Sequence, residues 1–291
     1  MTCRNAPNHS NKTGQMFIKS CLAVSMSLCL SLTAWAQPCS ELPPARTASD
    51  QKGGCLALVP VGSTTSSSKT LIVMLHGDSQ GLLNQRHLES WTALGRRLQA
   101  PDRSVLFLIR PGYQSPAGTS SGWANPMDDD YTTQNMERVA GALRVLRETY
   151  KSKKLILVGH SGGAATSSIV LGKYPGLADA ALLLGCPCDV PPWRQHRNAQ
   201  RGRSGASGWP NSLNPLAFIE GIPAGTPVLA VTGAQDDNTL SEFAKRWVDA
   251  ASTKSVKARF EEISGLNHLT ILQWPDISTR VSQLIDEAAS P

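Results

Sequence analysis

The residues best placed to do chemistry lie in a short stretch, Gly159-His160-Ser161-Gly162-Gly163. An apolar run, KLILVG, leads into it, and a small-residue, helix-like pattern, GGAATSSIV, leads out. A lone G-x-S-x-G is a weak signal. Between a strand and a helix it describes a sharp turn that holds a serine in strained dihedrals, its hydroxyl clear of the sheet. Flanking glycines remove Cβ atoms that would strike neighbouring backbone. The amide end of the helix then faces any negative charge that develops. The competing reading is a Gly-rich connection with no chemistry.

A serine attacks only when a base takes its proton. Six histidines are present. His9 lies in the first residues, His87 in a predicted helix, His196 in a polar insertion, His160 inside the turn, and His76 at a strand end. His268, in GLNHLT, follows the last predicted strand and precedes the last helix, at the same sheet edge as Ser161. The base needs an orienting acid, and VLAVTGAQDDNT offers Asp236 and Asp237 just beyond a strand. Asp236, three residues past Gly233, is preferred; Asp237 is the alternative and Asp189 ranks third. A tetrahedral oxyanion needs two donors, expected from the backbone N–H groups of Gly162 and of Asp78 in His76-Gly77-Asp78.

The elements that must position these groups alternate. Apolar runs of strand length occur at 55–59, 70–75, 104–109 and 154–159, with further strand candidates at 181–185, 228–233 and 257–263. Unbroken apolar runs fit strands covered on both faces of a parallel sheet. Helical faces are marked by Leu88, Trp91, Leu94 and Leu98, by Met136, Val139, Leu143 and Leu146, and by Phe243, Trp247 and Ala250. Val281, Leu284 and Ile285 suit a closing helix. The pattern predicts a mostly parallel, doubly wound α/β sheet flanked by helices, with ligands beyond the carboxyl ends of its strands.

With LHGD, GHSGG, GAQDD and NH in this order, the chain resembles the α/β-hydrolase superfamily from Leu71 to Ile285. It is most similar to the esterase, dienelactone-hydrolase-like and prolyl-oligopeptidase-like branches. The resemblance implies a Ser161–Asp236–His268 triad, oxyanion donors at Asp78 and Gly162, no cofactor, and a short lid (186–221) inserted after the sixth strand. One departure is Asp78, a carboxylate where many relatives have an apolar or small residue. It is expected either to disfavour anionic substrates or to point to solvent.

Two segments are expected to shape the pocket. Residues 110–131 contribute Tyr113 and Trp123, with Asp128–Asp130 read as a solvated turn or helix cap in place of a metal site. Residues 186–221 contribute Trp193 and Trp209, with Arg194, Arg197, Arg201 and Arg203 able to attract a carboxylate or to form a solvated basic loop.

Residues 1–36 read as a secretory leader. A positive segment ends at Lys19, residues 21–33 are apolar, and Ala34-Trp35-Ala36 predicts cleavage after Ala36. Met16 is an equally good start, and the apolar stretch is too short for a stable membrane span, an uncleaved anchor being the competing reading. The chain is therefore expected in the periplasm or outside the cell, as a single domain over 37–291, with a monomer favoured. Beyond the leader remain Cys39, Cys55, Cys186 and Cys188, an even number that suggests disulfides, preferred as Cys39–Cys55 and Cys186–Cys188. No histidine pair with ligand spacing lies near them, which disfavours zinc. The net charge of +6 falls to +3 without the leader, too little and too scattered for nucleic acid. The sum is an exported hydrolase of small-molecule or polymeric esters acting through an acyl-enzyme. A serine peptidase of aminopeptidase type and an acyltransferase are the alternatives, and a non-catalytic binding protein is the reading from another class.

Overall fold

Alternate residues of the strand Thr70–Leu75 face opposite sides, and both sides are apolar. Leu71, Val73 and Leu75 enter one core and Ile72 and Met74 another, all fully buried. Two cores need two helical layers. The computed structural model describes residues 37–64, 68–124, 131–203 and 209–288. The predicted leader with its cleavage site, and Asp128–Asp130, lie outside the described residues.

In chain order the strands are β1 (Thr47–Ser49), β2 (Cys55–Val61), β3 (Thr70–Leu75), β4 (Arg103–Leu108), β5 (Gln114–Ser115), β6 (Gly118–Thr119), β7 (Lys154–His160), β8 (Ala180–Leu184), β9 (Pro227–Gly233) and β10 (Lys257–Ile263). The helices are α1 (Gln85–Leu98), α2 (Thr133–Tyr150), α3 (Gly162–Lys173), α4 (Val190–Gln200), α5 (Ser241–Ser252) and α6 (Ile277–Glu287). Eight strands form one sheet in the order β1-β2-β4-β3-β7-β8-β9-β10, and β5 pairs with β6 in a small hairpin. From β4 to β10 every pair is parallel, whereas β2 runs antiparallel to both neighbours.

Helices α1 and α6 cover one face of the sheet, and α2, α3 and α5 the other. The edge strand β10 has no such double cover, and its charged residues Lys257, Arg259, Glu261 and Glu262 suit an exposed rim. Neighbours β3, β7, β8, β9 and β10 all end at one edge, which gathers the loops that follow them. This is the α/β-hydrolase fold.

Three elements were not expected. Strand β1 and the β5–β6 hairpin are too short to show periodicity. Helix α4 arises in the polar insertion because Pro191 and Pro192 occupy its first turn, where no intrahelical N–H is needed. Its Val190 and Trp193 are buried in a third apolar cluster with Trp209, Tyr131 and Phe243. Cys39 is bonded to Cys55, and Cys186 to Cys188. No helix among the described residues is long and apolar enough to cross a membrane.

Candidate active site

Ser161 sits between β7 and α3 with φ 52° and ψ −122°. A residue with a side chain adopts such dihedrals only when its surroundings enforce them. Here the Ser161 N–H donates to the Leu184 carbonyl at 2.8 Å, and its carbonyl accepts from the N–H groups of Ala164 and Ala165. The start of α3 presses on the end of β3, where a Cβ on Gly163 would lie 2.0 Å from the Leu75 oxygen. The tight turn thus follows from glycine at the crossing.

The histidine and the acid meet at the same edge. His268 Nδ1 donates to Asp236 Oδ2 at 2.8 Å, with the Thr239 hydroxyl 3.1 Å from the same nitrogen. Asp236 Oδ2 also accepts from Thr239 Oγ1 at 2.7 Å, and its Oδ1 accepts from the N–H groups of Asn238 and Thr239 at 2.9 and 2.8 Å. Burial opposes its ionisation, yet the bonds from His268 and Thr239 hold its carboxyl below the usual range. A carboxylate accepting from Nδ1–H leaves the lone pair on Nε2, the form a general base requires.

The alternative acids go elsewhere. Asp237 is exposed, and its backbone carbonyl accepts from His196 and Gln200. Asp189 pairs with Arg246 at 3.1 Å and accepts from Asn214.

Ser161 and His268 line one cavity of about 330 Å3. Among the described residues no hydrogen bond joins the serine hydroxyl to the imidazole, a contact that in unliganded sites often tightens only when substrate binds. His160, which sequence reasoning set aside, braces this arrangement: its Nε2–H donates to the His268 carbonyl at 2.7 Å. Burial, with His268 nearby, lowers its pKa to about 3, so it stays neutral.

The backbone N–H groups of Asp78 and Gly162 make no hydrogen bond among the described residues, and Asp78 lines the cavity beside Ser161. The Asp78 carboxylate does not point to solvent. It accepts from Arg110 Nη1 at 2.8 Å and from the Tyr131 hydroxyl at 2.6 Å, because two buried donors converge on it. His76 is not a base for Ser161. Its Nε2 accepts from the Arg110 N–H and its Nδ1–H donates to the Gly77 carbonyl, while burial and then Arg110 hold its pKa well below 6.5.

Of the four aromatic residues expected around substrate, Trp193 and Trp209 line the cavity, edge to face at 5.1 Å. Arg194 stacks over Trp209 at 3.9 Å, and Arg197 and Arg201 share the same wall. Tyr113 does not line it. The chain turns inward after β4 and buries the ring completely, 4.5 Å from that of His76. Trp123 is also absent from the wall: it is 67% exposed, held through its carbonyl by Asn135. Leu83, Trp91 and Leu272 also line the cavity, and of these periodicity had placed only Trp91, on a packing face.

The sequence model of the family described as alpha/beta hydrolase fold matches residues 70–205. An esterase of Pyrococcus furiosus superposes with a TM-score of 0.63 at 14% identity, over 87% of this chain and 97% of that one. A thermophilic esterase of Thermogutta terrifontis with propionate bound gives 0.60 at 14% identity, over 86% and 96%. A proline iminopeptidase of Mycobacterium smegmatis gives 0.58 at 13% identity, over 84% and 98%. Among curated proteins none matches the sequence. The family match over residues 70–205 and these superpositions agree on the α/β-hydrolase fold.

Proposed function

We propose that this chain is an exported serine hydrolase that cleaves carboxylic esters through an acyl-enzyme. The observation that carries the reading is a strained Ser161 opening on the cavity that also holds His268, itself fixed by Asp236. In the proposed reaction Ser161 Oγ attacks the ester carbon while His268 Nε2 takes its proton. The oxyanion is received by the N–H groups of Asp78 and Gly162. The protonated imidazole, stabilised by Asp236, gives the proton to the departing alkoxide, and a water then repeats the sequence to free Ser161. No cofactor is required.

An ester is preferred to an aminoacyl amide because an exopeptidase must hold a free ammonium group. Among the described residues the one carboxylate on the cavity wall is Asp78, already engaged by Arg110 and Tyr131. The predicted leader and the two disulfides support export, and 186–221, with α4 on the cavity wall, serves as the lid of a single domain spanning 37–291.

A fluorophosphonate probe tests the reading. Wild type should label and Ser161→Ala should not; an unlabelled wild type overturns it. Short p-nitrophenyl esters should turn over faster than aminoacyl p-nitroanilides, and the reverse order would make the chain a peptidase.

A further inference from the structure

Asp78 presents a physical problem. Its N–H is one proposed donor to the oxyanion, but its side chain carries a negative charge into the same corner. A Cβ placed on Gly162 would lie 2.0 Å from Asp78 Oδ1 and 2.7 Å from Arg110 Nη1. The carboxylate and the guanidinium therefore press against the residue that supplies the other donor. An uncompensated anion there would repel the charge that forms in the transition state, the more strongly as substrate excludes water.

We propose that Arg110 and Tyr131 are positioning residues that make the oxyanion site workable, by neutralising the Asp78 carboxylate and fixing the loop that carries its N–H. This inference rests on the serine-hydrolase reading. Arg110 is 2% exposed, and its Nη1 donates both to Asp78 Oδ1 at 2.8 Å and to the His76 carbonyl at 3.1 Å. One guanidinium nitrogen thereby ties the two ends of His76-Gly77-Asp78. The Arg110 N–H donates to His76 Nε2, a second tie between the same segments. Tyr113 and Tyr131 flank the cation at 5.3 and 5.6 Å, which suits a charge withdrawn from water.

Tyr131 donates to the other carboxylate oxygen. Burial and the neighbouring Asp78 raise its pKa well above 10, so the phenol keeps its proton. Among the described residues these contacts join one anion, one cation and one neutral donor. Buried pairs of this kind are weak contributors to net stability compared with apolar packing. Its position against Gly162 gives it a task that apolar side chains would not perform.

The test compares Arg110→Met, Arg110→Lys and the double variant Asp78→Asn/Arg110→Met with wild type. The readouts are kcat and KM on p-nitrophenyl acetate, affinity for a phenylboronic acid as transition-state analogue, and thermal melting. Arg110→Met should lower kcat by about 10²–10³-fold, the range for losing one oxyanion donor. KM should stay within roughly threefold and boronate affinity should fall in parallel. Removing the anion as well should restore kcat at least about tenfold over Arg110→Met, and Arg110→Lys, which keeps the charge, should also exceed it. A purely structural role predicts no such recovery.

The inference is overturned if Arg110→Met retains wild-type kcat, or if the double variant is no better than the single one. Should Arg110→Met alone fail to fold, a double variant that folds and labels with fluorophosphonate supports compensation, and one that does neither overturns it. Failure of wild type to label at Ser161 removes the underlying reading instead, so the two failures are distinguishable.

Discussion

Asp236, which is buried, and Asp78, which is partly buried, are carboxylates just beyond parallel strands, yet the proposed reaction gives them opposite electrostatic tasks. Asp236 must remain an anion, because a cation forms on His268 during the proposed reaction. Its partners are local: two backbone N–H groups and the Thr239 hydroxyl come from the three residues after it, with His268 arriving from the next loop. Asp78 must be cancelled, because the proposed reaction forms an anion beside it. Its partners stand 32 and 53 residues away, after β4 and before α2. Location at the sheet edge does not separate the two roles. The partners do: dipoles and an ionisable imidazole for one, a permanent cation and a phenol for the other.

The largest effect should come from Asp236→Asn. The amide would offer His268 Nδ1 an N–H and favour the tautomer protonated on Nε2, which cannot act as a base. A fall in kcat of about 10⁴-fold is expected, the magnitude known for such a change in a Ser-His-Asp triad. Asp237→Asn should stay within about twofold of wild type, since surface changes away from working groups are nearly neutral. Steady-state kinetics on one p-nitrophenyl ester checks both, and equal losses would erase the distinction between the neighbours.

Next in size is Tyr131→Phe, which removes the phenolic donor from Asp78 but leaves Arg110 in place. A hydrogen bond to a charged group is worth about 1.5–3 kcal/mol, which corresponds to a loss of roughly tenfold or more in kcat. The matching change on a local dipole should cost less, and that ordering is what the comparison predicts.

How far each half of the site was legible follows from the same contrast. Ser161 and Asp236 each lie within a few residues of the end of a continuous apolar strand, and His268 follows the last strand candidate, so their placement could be read from strand ends alone. The preference for Asp236 over Asp237 also rested on local turn spacing. The association of Asp78 with Arg110 and Tyr131 joins three separate loops and has no periodic signature. Tyr113 and Trp123 failed as pocket residues for a related reason: an aromatic identity in a long loop does not say whether the ring packs inward or faces water. Trp193 and Trp209 do line the cavity, on the insertion that also carries α4, whose helical state was hidden by its proline pair and polar composition.

Acid pH separates contributions on the Asp236 side. His160 has a folded-state pKa of about 3 against an ordinary 6.5, so protons bind preferentially to the unfolded chain. Its contribution to stability is complete above pH 6.5 and is lost progressively as pH falls towards 3. Asp236, with its carboxyl held below 3.8, contributes stability above that value and loses it as pH drops through the lower folded-state value. The melting temperature should therefore begin to decline below pH 6.5, before Asp236 titrates. His160→Gln keeps an N–H donor for the His268 carbonyl and has no proton to gain. Its melting temperature should fall less steeply between pH 6.5 and 4, and a slope equal to wild type would refute the assignment.

The smallest effect should come from Thr239→Val, a near-isosteric change on the local carboxylate. It removes the 2.7 Å bond to Asp236 Oδ2 and the hydroxyl beside His268 Nδ1. Asp236 keeps two backbone donors and His268, so its charge remains satisfied. A bond to a charged group is worth about 1.5–3 kcal/mol, and with three donors left on Asp236 the loss should sit at the low end, roughly tenfold in kcat. Because the hydroxyl favours the ionised form, its removal should also let the Asp236 carboxyl move up. Acid inactivation would then set in at a slightly higher pH than in wild type. The informative quantity is the ratio of the two hydroxyl deletions under identical conditions. If Thr239→Val reduces kcat more than Tyr131→Phe does, the local dipoles around Asp236 outweigh the long-range neutralisation of Asp78, and the contrast between the two carboxylates runs the other way.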